Sequence, residues 1–367
     1  MTRRLAVVAA LALACGTDNQ PAVTTGPGVT SVAHTTSGSD STTTSTSTTT
    51  STSGAEDSAA ASSSGSASTF DMAPPPDLGD PTPAGCKGKI DFVFAISPLF
   101  TMAPEQEKLI ASLPGFMETI ATDFADFDPH VISINADGEW HGDLCESPDW
   151  CLNKGHCGAN AMDYECGKYV DQIGPCDRTR GAGILFNAGG YAYNKPCDLY
   201  GGNRYIIAGQ PDPVEAFKCI AQVGISGSDP PLADSLVEAV SPELNGPEGC
   251  NAGFLRPDAL LVFVLIMDFE DTESWLSPKK VRDAVVAAKG GDEDSIVALA
   301  FLAPLLVGDP IPGCNYNEPP GPMHLQDVIE LFPYHDSGDM CAAEYATFFN
   351  GAAASLVREA CNSFIPQ

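Results

Sequence analysis

The chain has 367 residues, 48 Asp and Glu against 18 Lys and Arg, and a formal net charge of −30. Such a surface repels phosphate backbones and anionic headgroups, which excludes nucleic acid as a partner and favours cations and basic molecules. Residues before 86 are too poor in large apolar side chains to build a core, so one folded domain over 86–367 is expected.

Arg3 and Arg4 precede an apolar run from Leu5 to Leu13, and Ala12-Leu13-Ala14 lead into Cys15. The run is far shorter than the roughly 20 residues that cross a hydrocarbon core, so it reads as an export leader. The junction resembles a bacterial lipobox, which implies cleavage before Cys15 and a lipid anchor on that cysteine. An ordinary signal peptide cut near Ala14 is the alternative. Gly16 supplies no acidic signal for the inner membrane, so outer-membrane anchorage is expected, with the membrane touched through the lipid alone. Residues 16–85 are dominated by Ser, Thr, Gly, Ala and Pro without apolar periodicity, as in a disordered tether. Its r.m.s. span would be roughly 45 Å.

From residue 86 the pattern alternates. Ile90–Ile96 is a β-prone run without polar alternation, as in a strand buried on both faces. Leu109, Ile110, Leu113, Phe116, Met117 and Ile120 recur at helical spacing, which predicts a helix from Pro104 to about Phe124. A strand is expected over His130–Ile134. The interval 138–202 breaks the pattern, being rich in Gly, Asn, Asp and cysteine, and reads as a loop-rich insertion stapled by its own disulfides. Ala259–Met267 is the expected central strand, followed by a helix over Pro278–Lys289 and a strand over Ser295–Leu302. Closing helices are expected over Leu325–Phe332 and Ala342–Cys361. This order gives an α/β fold: a Rossmann-like, mostly parallel sheet flanked by helices.

Of 13 cysteines, Cys15 belongs to the anchor. Cys86, Cys145, Cys151, Cys157, Cys166, Cys176, Cys197, Cys219, Cys250, Cys314, Cys341 and Cys361 remain, an even set that in an exported chain points to disulfides of undetermined pairing. Zinc on Cys145, Cys151, His156, Cys157 and Cys166 is the competing reading, weakened by the lack of C-x₂-C spacing. His335, Asp336 and Ser337 have the residue types of a hydrolase triad but read as a polar turn. Gly181-Ala182-Gly183 lacks the third glycine of a dinucleotide loop.

Lys89–Ile96 with Met102-Ala103-Pro104-Glu105-Gln106, then Pro231–Leu236, then Gly249–Asp258 running into Leu260–Asp268, resemble a von Willebrand factor A domain, in particular those on exported lipoproteins of myxobacteria. The resemblance implies a metal-ion-dependent adhesion site at the carboxyl ends of the strands. In the family pattern that site is Asp-x-Ser-x-Ser after the first strand, a Thr on a middle loop and an Asp after the fourth strand. Here the first motif is Ser97-Pro98-Leu99-Phe100-Thr101, the middle Thr is Ile225 with Ser226 and Ser228 close by, and the last Asp is Asp268. The degenerate ligand set is therefore Asp268, Thr101, Ser97 and Ser226, with Glu270 and Asp271, beside Glu273, as further candidates for Ca²⁺. A weakly bound Ca²⁺ or Mg²⁺ is the only cofactor these residues offer.

The expected function is a cell-envelope binding or adhesion module for an extracellular protein or glycan, and not an enzyme. Its contact face would be the strand-end loops and the insertion. The alternatives are an extracytoplasmic hydrolase using His141, Asp143, His156 and Asp163, and a structural remnant of a metal-binding domain.

Overall fold

The computed structural model describes residues 88–123, 127–140, 170–225, 229–303 and 323–364. The leader, Cys15 and the 16–85 segment lie outside them, as do Cys86, Cys145, Cys151, Cys157, Cys166, Cys314, Ser226 and Ser228. No helix among the described residues is long and apolar enough to cross a membrane.

Five parallel strands form one sheet in the order β2-β1-β3-β4-β5. They are β1 (Lys89–Ile96), β2 (Asp128–Ile134), β3 (Leu260–Met267), β4 (Ile296–Leu302) and β5 (Tyr334–Asp339). This is a doubly wound α/β arrangement, compatible with a von Willebrand factor A-like domain, and its strand order reverses between β1 and β3. Every residue of β3 is buried, as its unbroken apolar sequence requires.

Two apolar layers follow from the strand period of two. Phe92, Phe94 and Ile96 of β1 and Leu260, Val262, Val264 and Ile266 of β3 face one core. There they meet Leu109 and Phe116 of α1 (Ala103–Asp123) and Phe217 and Ile220 of α2 (Pro213–Ala221). Val93 and Ala95, with Leu261, Phe263, Leu265 and Met267, face the other core. They pack against Leu236 of α3 (Leu232–Ala239), Val281 and Val285 of α4 (Pro278–Ala288) and Leu325 of α5 (Met323–Ile329). The chain closes with α6 (Ala354–Ser363), which returns to the first core through Val357 and Ala360.

Three elements depart from expectation. The segment read as a turn at His335-Asp336-Ser337 is strand β5, paired with β4 from Val297↔Tyr334 to Leu302↔Asp339. It is an edge strand, so its polar sequence keeps one side in solvent. Gly338 is required there, since a Cβ would stand 2.6 Å from the Phe301 ring. The closing helix expected over Ala342–Cys361 starts later and is interrupted by a π-helical turn at Phe349–Ala353. Gly183 in the insertion and Ile206 just after it make antiparallel bridges to Ile134 and Val131, so this part lies along the β2 edge.

The staples also differ. Cys176 pairs with Cys250 and Cys197 with Cys219, so both bridges join the insertion to chain beyond it. The bridged cysteines lie 74 and 22 residues apart in the chain. Cys341 and Cys361 are disulfide-bonded as well. Such bonds form and persist in an oxidising, extracytoplasmic compartment.

Candidate functional site

The point between β1 and β3 where strand order reverses is where open α/β sheets form their ligand crevices. Ser97 leaves β1 with its N–H bonded to Ile266 O at 2.9 Å, so the two strand ends run out side by side. Gln106, buried in the first turns of α1, ties this end together. Its Nε2 donates to Ser97 O at 3.3 Å and Gly224 O at 2.8 Å, and its Oε1 accepts from Gly224 N at 3.2 Å. The middle loop around Gly224 is thereby fixed beside the first motif. Gly224 adopts φ +83°, and a Cβ there would lie 2.9 Å from the Ala192 methyl group.

Asp268 follows β3 and is 3% exposed. Neither of its oxygens, nor Thr101 Oγ1, meets a hydrogen-bond partner in good geometry. Burial pushes its carboxyl up to about 6, with the Thr101 hydroxyl lowering it and the negative field of buried Glu105 raising it. Tyr345, whose hydroxyl donates to Met340 O at 3.0 Å, is also pushed up by burial and by Glu105, Asp339 and Asp268.

The sequence-designated ligands thus separate into two groups. Asp268 and Thr101 come together, whereas the Ser97 Oγ accepts from Leu99 N at 3.2 Å. Leu99 is a buried alkyl chain where the family pattern has a hydroxyl. The residues present therefore do not fit the family's Mg²⁺ site: the first-motif carboxylate is absent at Ser97, and an alkyl chain at Leu99 stands where a hydroxyl is needed.

The two Ca²⁺ candidates have structural partners. Asp271 accepts from Ala233 N (2.9 Å), Ser274 N (3.2 Å) and Ser274 Oγ (2.7 Å), and burial raises its pKa. It thereby holds the first turn of α3 to its own loop. Glu270 accepts from His324 N at 3.1 Å, at the start of α5. Asp234 completes the brace, taking Trp275 N at 3.0 Å and Leu276 N at 3.1 Å, while its own N–H donates to Ser274 Oγ.

Sequence reasoning missed the most exposed apolar side chains of this end. Phe100 is 62% exposed, Phe269 37% and Trp275 89%. All three sit in the loops leaving β1 and β3, and Phe100 and Phe269 adjoin Thr101 and Asp268. The available signal was a pair of large aromatics, Phe269 and Trp275, within an acidic connection; Phe100, among Pro98, Leu99 and Met102, carried none.

The alternative sites are less complete. His141, Asp143, His156 and Asp163 lie outside the described residues, as do the zinc candidates of the insertion. In β5, His335 and Ser337 alternate with Asp336 across the strand, so the three do not converge. The Gly181–Gly183 segment is a close-packing element: Asn251 accepts from Gly183 N at 2.8 Å and donates to Gly181 O at 2.9 Å.

Comparison of the chain with protein-family models and with curated proteins finds no match in either.

Proposed function

We propose that this chain is an exported lipoprotein, anchored through Cys15 and tethered by 16–85, that displays its α/β domain as a binding module for an envelope or extracellular partner. The observation that carries the reading is the exposure of Phe100, Phe269 and Trp275 on the loops leaving two adjacent central strands. Large aromatics left in water at one end of a domain are costly unless a partner covers them, and such side chains supply most of the binding energy in protein interfaces. The contact needs no metal, because Ser97 replaces the carboxylate and Leu99 a hydroxyl that a Mg²⁺ site requires.

The test uses the full mature chain in detergent, wild type against Phe100→Ala/Phe269→Ala/Trp275→Ala. Capture of an envelope protein or glycan by the wild type, lost in the triple variant and retained in EDTA, supports the reading. Capture of nothing, or equal capture by both proteins, removes it. The anchor is checked separately by mass spectrometry. Acyl groups are expected on Cys15, and an unmodified terminus after Ala14 would refute the anchor alone.

A further inference from the structure

The partner's chemistry follows from the way Trp275 is presented. Trp140 is almost fully buried, whereas Trp275 is 89% exposed on a loop that is anything but loose. Asp271 takes three hydrogen bonds from Ala233 and Ser274, and Asp234 takes the backbone N–H groups of Trp275 and Leu276. The loop backbone is thus cross-braced to the first turn of α3 by two carboxylates, while the indole projects into solvent. Little further ordering of that backbone is needed when something docks.

The charge around it is one-sided. Between Asp268 and Ser277 the loop carries Asp268, Glu270, Asp271 and Glu273 and no basic residue. Of these, Glu273 is exposed, two residues before Trp275 in the chain. The nearest lysine after it, Lys279, is paired with Asp283 at 2.5 Å, leaving Lys280 as the opposing charge on the first turn of α4. At the same end of the sheet, the loop after β1 adds exposed Phe100 and, in α1, exposed Glu107.

We infer that this aromatic and acidic face docks a basic protein segment, with an arginine or lysine side chain of the partner over the Trp275 indole and its charge offset by Glu273. A cation over an indole face is attracted by the ring quadrupole, and guanidinium groups stack there most readily. The molecule's net charge of −30 draws such a partner in and steers its approach. This inference rests on the binding reading above and adds the partner's class.

The test titrates fluorescently labelled (Arg-Gly)₅, (Ser-Gly)₅ and (Glu-Gly)₅ peptides against the full chain in detergent, following anisotropy at low and at physiological salt. Saturable binding of the arginine peptide alone is expected, weakened about tenfold or more by Trp275→Ala and several-fold by Glu273→Gln. Both residues are exposed, so unchanged melting temperatures will certify the variants as folded. Arginine-peptide binding that Trp275→Ala leaves unaltered would mean non-specific attraction to net charge and would overturn the inference. So would absence of binding at millimolar peptide, or a Trp275-dependent preference for a neutral glycan on an array. If the aromatic triple variant loses its envelope partner while the arginine peptide never binds, the binding function stands and the basic-partner assignment falls.

Discussion

Two buried aspartates, one in β1 and one just after β3, differ in their partners. Asp91 in β1 is fully buried but accepts from Arg256 N at 2.7 Å and from Arg256 Nε at 2.8 Å, an arrangement extended by Lys289, whose Nζ donates to Arg256 O and Ala259 O. Burial pushes Asp91 up to about 6 against the pull of Arg256, while Lys289 is pulled down to about 8 by its own burial. Asp91→Ala strands a partly buried guanidinium and should cost about 3–5 kcal/mol, read as a lower denaturation midpoint. Asp268 has no cation beside it among the described residues and is likewise pushed up to about 6. Because its folded pKa lies above the usual carboxylate value, the folded state binds this proton more tightly than the unfolded chain does. Stability is therefore fullest below about pH 4 and is lost as pH rises towards 6. Asp268→Asn should leave stability unchanged near pH 4 and raise it at pH 7 by about 1–3 kcal/mol. A variant that is less stable than wild type at pH 7 would show that Asp268 has a stabilising partner.

At the scale of elements, the acidic loop after β3 acts as a brace for α3. Asp271→Ala orphans Ala233 N and both Ser274 groups, with an expected loss of about 1–3 kcal/mol. Neither Ca²⁺ nor Mg²⁺ at millimolar concentration should raise the melting temperature of the wild type. A saturating shift of several degrees, abolished by Asp268→Asn, would restore the cation reading. Strand β5 offers a second test. Gly338→Ala places a methyl group against the Phe301 ring and should cost about 1–3 kcal/mol through overpacking. An unaffected melting curve would mean that the edge strand can move away from β4.

For the whole molecule, the two described bridges close segments of 74 and 22 residues. On the chain-entropy account these are worth about 4–5 and about 3 kcal/mol, so reductant should lower the melting temperature by many degrees. Rapid alkylation of Cys176 or Cys219 in unreduced protein would contradict the pairing.

The sequence by itself determined the α/β alternation, the strands through Phe92, Val262 and Val297, and their layering, because buried strands and amphipathic helices write their periods into the chain. It also offered Thr101 and Asp268 as candidates at the carboxyl ends of those strands, and the fold brings these two side chains together there. Strand β5 was illegible: an edge strand needs little apolar sequence, and only the neighbouring Phe301 explains Gly338. Disulfide pairing was equally closed to the sequence, since Cys176 and Cys250 become neighbours only when the insertion lies along β2. The tertiary structure alone decided which acids are open. Asp271 and Asp234 are consumed by the backbone of a loop that meets α3 in space, and that same brace holds Trp275 in water. Spacing along a chain reports which side chains an element offers; which of them find partners is fixed by surfaces that the folded chain brings together.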